Sequence, residues 1–174
     1  MVGYIGLAGL ILITLFIIFL FIRRKKIENE LGVFYKNSQL FGVKEIPESI
    51  RETIGGGKWF YFKGSLIVEH KPFEFYWLEN LTSSIMVVNN TSQTTVNYIL
   101  AVVFPPNTVS QDFMNKAFEW KNSASAFKDF FILNVNNPYR VEKLSDGSFL
   151  IQWNVLNRAD VYQKKLDWLQ ANLS

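Results

Sequence analysis

A chain of 174 residues has room for one folded domain and little more, and 5 Trp, 7 Tyr and 16 Phe supply side chains for a dense core. Cysteine is absent, which excludes disulfides, thiolate nucleophiles, iron–sulfur clusters and cysteine-type zinc sites. The net charge of +3 arises at Arg23, Arg24, Lys25 and Lys26; the other 148 residues hold 14 basic against 15 acidic side chains, which argues against a basic nucleic-acid-binding face.

Residues 2–22 carry no charged side chain. As a helix they rise about 31 Å, matching a hydrocarbon core of about 30 Å, and any break inside lipid leaves backbone groups unpaired. The run predicts one transmembrane helix. Lys and Arg flanking a span favour the cytoplasmic side. The expected topology in a cell or organelle membrane is therefore single-pass, with the N-terminus outside and residues 23–174 in the cytoplasm. A cleaved signal peptide fits poorly, because no basic residue precedes the core and basic rather than small residues follow it. Arg23, Arg24, Lys25 and Lys26 are the candidate membrane-surface residues.

Ile27, Leu31 and Phe34 continue a helical stripe for about two turns, with Gly32 as an early stop. Residues 35–46 read as a connector. Pro47, Ile50, Ile54 and Gly55 predict a short helix over 47–54. Residues 58–104 then read as a meander of four or five strands. An aromatic run at 58–63 leads to strands at 66–70 and 73–79, separated by Gly64-Ser65 and Lys71-Pro72. Strands at 85–88 and 94–104 flank a polar turn at 89–93. Phe73, Phe75 and Trp77 share one face of their strand, and Glu74 and Tyr76 the other.

Pro105-Pro106 ends that sheet segment. Thr108 three residues before Gln111 is a capping-box signal for a helix over 109–121, whose apolar face is Phe113, Ala117 and Trp120. A further turn over 123–129 and a strand at 131–133 are expected next. Asp146-Gly147 joins 139–143 to 148–155 as a hairpin. In the last helix Asn157 is the expected cap, and Tyr162, Leu166, Leu169 and Leu173 form the apolar stripe.

The expected fold is α+β: a single N-terminal transmembrane helix followed by a mostly antiparallel sheet with packed helices. Its divisions are an anchor at 1–26, a juxtamembrane helix and connector at 27–56, and a cytoplasmic domain at 57–174. A strand meander closed by an amphipathic helix resembles the pleckstrin-homology-like barrels, although the helix over 109–121 departs from that plan. The resemblance implies a barrel and no function.

Reactive chemistry is thin. His70 is the only histidine and reads as a strand-end residue, without the partners of a triad or metal site. Gly55-Gly56-Gly57-Lys58 has the reverse order for a phosphate loop, following a helix and leading into a strand. Glu69, Glu74 and Glu79 are expected as solvated outer-face side chains. No catalytic residue, cofactor or metal ligand is assigned. On a strand, Trp59-Phe60-Tyr61-Phe62 faces both sides, and the candidate partner-binding residues are Trp59, Tyr61, Phe73 and Trp77.

The expected function is a membrane-anchored, non-enzymatic binding or scaffold domain. Such a domain would be an accessory or assembly partner of a membrane complex, with a protein partner in the membrane and no nucleic acid. The alternatives are a domain that binds lipid or another apolar small molecule in an aromatic-lined cavity, and a carboxylate-based hydrolase.

Overall fold

A computed structural model describes residues 2–54, 58–88, 91–123 and 137–173, and the side chains of these except at 2–8 and 81–97. In chain order the elements are α1 (Val2–Asn37), β1 (Phe41–Val43), α2 (Glu48–Ile54), β2 (Trp59–Val68), β3 (Lys71–Val88), β4 (Thr91–Phe104), α3 (Gln111–Asn122), β5 (Arg140–Lys143), β6 (Phe149–Val155) and α4 (Ala159–Asn172). The fold is α+β. Among the described residues six strands form one sheet in the order β1-β2-β3-β4-β6-β5, and every neighbouring pair is antiparallel. Among the described residues the sheet is open, with β1 and β5 at its edges, so the barrel implied by the resemblance is not formed.

Among the described residues of 58–104 there are three strands, not four or five. β2 runs unbroken through Gly64-Ser65, and Lys71-Pro72 lies inside β3. The reversal falls at Glu69 and His70, whose φ of 49° and 67° make the paired left-handed residues of a tight hairpin. Gly64 is needed for packing: a Cβ there would lie 2.6 Å from both Leu40 Cδ2 and Phe75 Cζ. β3 and β4 stay paired to Val88↔Thr91, past the last β2 partner at Asn80 and the last β6 partner at Tyr98. Their ends continue beyond the sheet as a two-stranded ribbon.

One sheet face is covered by α3, α4 and the C-terminal turns of α1. Leu31 and Phe34 of α1 and Leu40 join Phe75, Trp77, Leu100, Phe104, Phe113, Trp153, Tyr162 and Leu169 in the larger core. This explains why α1 passes Gly32 and ends at Asn37. A helical glycine costs about 1 kcal/mol, whereas burying Leu31 and Phe34 returns about 2 kcal/mol each. On the opposite face α2 sets Ile50 and Ile54, with Ile46, against Leu78, Ala101, Val103 and Leu150. Ser49 donates to Asp146 Oδ2 at 2.5 Å, and Arg140 Nη1 donates to the Thr53 carbonyl at 3.1 Å, tying α2 to the β5–β6 hairpin. The stretch over 27–54 thus packs into the same body as the sheet.

Helix starts differ from expectation by small shifts. Ser110, not Thr108, caps α3 by accepting from the Phe113 amide at 3.1 Å; the Thr108 amide instead closes a turn onto the Pro105 carbonyl. α4 begins after Arg158, and Asn157 Oδ1 accepts from the Tyr162 hydroxyl at 3.1 Å. The stripe of Tyr162, Leu166, Leu169 and Leu173 is buried. Asp146-Gly147 makes the expected hairpin turn, with Gly147 at φ 86°. The expected strand at 131–133, and the turn over 123–129 beyond Ser123, lie outside the described residues.

Among the described residues, no helix is long and apolar enough to cross a membrane. The run of described, uncharged side chains on α1 covers 9–22, or 14 residues, which rise about 21 Å against a hydrocarbon core of about 30 Å.

Candidate functional site

The sheet face under α1 carries one acidic group among its rings. Strand alternation puts Glu79 on the same face as Phe73, Phe75 and Trp77 rather than on the outer face. The Tyr35 hydroxyl on α1 lies 2.8 Å from both carboxylate oxygens of Glu79, and the Trp77 indole N–H donates to Oε1 at 2.6 Å. The Tyr162 hydroxyl on α4 donates to Asn157 Oδ1 at 3.1 Å and is near enough to this carboxylate to help stabilise its charge. Burial pushes the Glu79 pKa up, and the hydrogen bonds from Trp77, Tyr35 and Tyr162 pull it back only in part. The two phenols are raised above the ordinary tyrosine value, first by burial and then by the Glu79 charge.

Aromatic contacts lock this group in place. Phe34 lies 5.8 Å from Trp77 and 5.7 Å from Tyr162, and Trp77 meets Tyr162 edge-on at 5.6 Å. Tyr35 stacks on Phe62 at 4.8 Å. Three elements distant in sequence, α1, β3 and α4, therefore meet around one carboxylate.

A buried cation sits further along α4. Lys165 is 2% exposed and lies over the rings of Trp120 and Trp153, at 5.3 and 5.8 Å. Trp120 in turn stacks on Trp168 at 4.0 Å. Burial, followed by repulsion from Lys164, lowers the Lys165 pKa to about 8. Face-on contact with indole offsets part of the cost of burying the charge.

The aromatic candidates separate into two sets. Phe73 and Trp77 point to the α1 face, where Phe73 is half-buried and Trp77 fully buried, so Trp77 offers no surface to a partner. Trp59 and Tyr61 are half-buried on the α2 face, beside the second core. The four do not form one patch. The exposed large apolar groups nearby are Phe41, Phe60 and Ile67, at 70, 61 and 68%.

The basic residues 23–26 lie on α1 just before it packs onto the sheet, and all four are exposed. Arg24 pairs with Glu28 at 2.9 Å and Lys26 with Glu30 at 3.8 Å. His70 is exposed at its turn. Glu74 faces away from Glu79 and pairs with Lys63 at 2.9 Å, while Glu69 sits in the same turn as His70. Among the described residues, no three of His, Cys, Asp and Glu come together as a metal-binding group. The Glu79 partners are hydroxyls and an indole, with no second carboxylate among them.

Two features of this region carry signals that sequence reading passed over. Glu79 is two residues beyond Trp77, so alternation alone assigns it to the buried face. Lys165 follows Tyr162 by three and precedes Leu169 by four, which places it on the apolar stripe of α4. Compared with protein-family models, curated proteins and solved structures, the chain matches none of them.

Proposed function

We propose that this is a single-span membrane protein whose folded domain is a non-enzymatic binding module, an accessory or assembly partner of a membrane complex. The observation that carries the reading is α1 itself. From Leu10 to Ile22 its large apolar side chains stand 44–67% exposed, without cover from the rest of the domain, while its last turns belong to the core. A patch of this extent needs a non-aqueous partner. Residues 2–8 are helical in backbone and uncharged in sequence, and they extend the run to 21 residues, about 31 Å. Arg23, Arg24, Lys25 and Lys26 end it and favour a cytoplasmic domain.

The binding role is supported by chemistry that is structural in kind. Glu79 is held by hydroxyl and indole groups, and Lys165 lies over indole rings, at the places where helices pack on the sheet. Phe41 and Ile67 are exposed on the face that holds Trp59 and Tyr61, and this surface is the partner-facing region we favour. Tethering raises the local concentration of such a surface for anything else in the same membrane.

The test is crosslinking in intact membranes, followed by affinity purification of the tagged full chain and mass spectrometry. The expected result is a reproducible membrane complex that is lost in a Phe41→Ser, Ile67→Ser double variant. A chain recovered alone, or a complex indifferent to that variant, overturns the reading. Topology is checked separately with single cysteines, which the cysteine-free chain allows without background. Asn122→Cys should label only after the cytoplasmic side is opened.

A further inference from the structure

At the end of the sheet where α1 emerges, a cleft of about 680 Å³ separates α1 from the connection between β6 and α4. Leu20, Arg23, Arg24, Ile27 and Glu28 line it on the α1 side, and Leu156 and Arg158 on the other, so three arginines and one carboxylate border it. We propose that this cleft seats the phosphate of an anionic phospholipid headgroup, with the first part of the acyl chain against Leu20 and Leu156. The inference rests on the reading of α1 as a membrane anchor and adds a ligand class to it.

Depth is the first argument. Leu20 belongs to the uncharged run of α1 and Arg23 marks its border, so the border is the headgroup layer. Arg158 lines the same cleft as Leu20, although 138 positions away in sequence. The fold therefore delivers a third arginine to the level at which lipid phosphates lie.

Charge and shape agree with that placement. Arg24 donates from Nε to Glu28 at 2.9 Å, and Arg158 donates from both Nε and Nη2 to the two oxygens of Asp160, each at 2.9 Å. These pairs are more than half exposed on both partners, at 80 and 59% and at 56 and 53%. These contacts engage Nε of Arg24 and Nε and Nη2 of Arg158, and with five N–H donors on each guanidinium the carboxylates orient the groups without satisfying all their donors. Among the described residues, Arg23 takes part in no ion pair. Guanidinium binds phosphate through two parallel hydrogen bonds, a geometry that ammonium cannot match. Leu20 and Leu156 are 44 and 42% exposed and supply apolar surface for the adjoining acyl chain. A row of basic residues on a helix attracts any anionic surface; a cleft to which another part of the fold adds an arginine gives an anionic headgroup a defined seat.

The experiment uses the full chain in nanodiscs of phosphatidylcholine alone, or of equal parts phosphatidylcholine and phosphatidylglycerol, with lipid retention read by native mass spectrometry. The wild type should retain phosphatidylglycerol over phosphatidylcholine. Arg158→Gln, and independently Arg23→Gln, should reduce that preference about tenfold, the equivalent of one charged contact. Arg158→Lys should restore only part of it. Both variants should still float with vesicles, which reads the anchor independently of the cleft. Unchanged phosphatidylglycerol retention in both variants overturns the headgroup site and leaves the anchor intact. Retention of inorganic phosphate that displaces phosphatidylglycerol makes the ligand a free anion and overturns the lipid assignment. A wild-type chain that fails to float removes the anchor and this inference together.

Discussion

The hydroxyl of Tyr35 stands 2.8 Å from each oxygen of the Glu79 carboxylate and joins the last turns of α1 to the middle of the sheet. A hydrogen bond to a charged group contributes more than a neutral one because the acceptor's charge strengthens it, and losing it leaves the acceptor underserved. Tyr35→Phe keeps the stacking on Phe62 and removes only this contact. We expect a loss of about 1–3 kcal/mol in chemical denaturation of the full chain. A variant as stable as the wild type would show that the contact does not hold α1 to the sheet.

Glu79 also sets a pH dependence. Its pKa lies above the ordinary carboxylate value because burial outweighs its hydrogen bonds, so the folded state binds this proton more tightly than the unfolded chain. The resulting stability is fully present below the unfolded carboxylate pKa and is lost as pH rises through the folded value. Wild-type stability relative to Glu79→Gln should therefore fall from acid towards neutral pH. Parallel pH profiles for the two proteins would remove Glu79 as the source.

Lys165 acts with the opposite sign. Its pKa falls from 10.5 to about 8, so between these values the unfolded chain holds the proton that the folded protein has released. Stability relative to Lys165→Met should rise with pH across that window, by an amount on the order of 3 kcal/mol. Thermal melts of both proteins between neutral and alkaline pH measure it. Absence of any relative rise would mean that the contacts with Trp120 and Trp153 keep the cation charged at no net cost.

Gly64 tests the packing of Leu40 and Phe75 over β2. An added methyl group meets both side chains at 2.6 Å, and Phe75 is only 1% exposed and has little room to give way. Gly64→Ala should cost about 1–3 kcal/mol by overpacking. Gly42→Ala, where nothing lies within 4 Å of the new Cβ, should be close to neutral. Equal effects at the two sites would contradict the close approach.

Where one period dominated, the sequence was readable. The stripe of Tyr162, Leu166, Leu169 and Leu173 and the turn at Asp146-Gly147 both stand as their spacing indicates. The misreadings came where a local signal competed with packing. Gly64-Ser65 looks like a turn, yet the glycine serves a close contact inside a strand; Glu69-His70 turns the chain although neither residue is a common turn former. Gly32 looks like a stop, and burial of Leu31 and Phe34 carries the helix past it. The site was less legible than the fold. Glu79 was within reach of simple alternation, but Arg158 gains meaning only when folding brings it beside Leu20.

α1 is one helix from Val2 to Asn37, without a proline, and its final turns are fastened into the sheet through Leu31, Phe34 and Tyr35. It is a shaft with no swivel. Each residue of an α-helix advances about 1.5 Å along the axis and about 100° around it. A single alanine inserted after Lys26 would therefore rotate the whole domain by that angle relative to anything holding the N-terminal half. The direction in which the sheet faces is fixed by residue count along the helix, and a partner of this domain would find it already aimed.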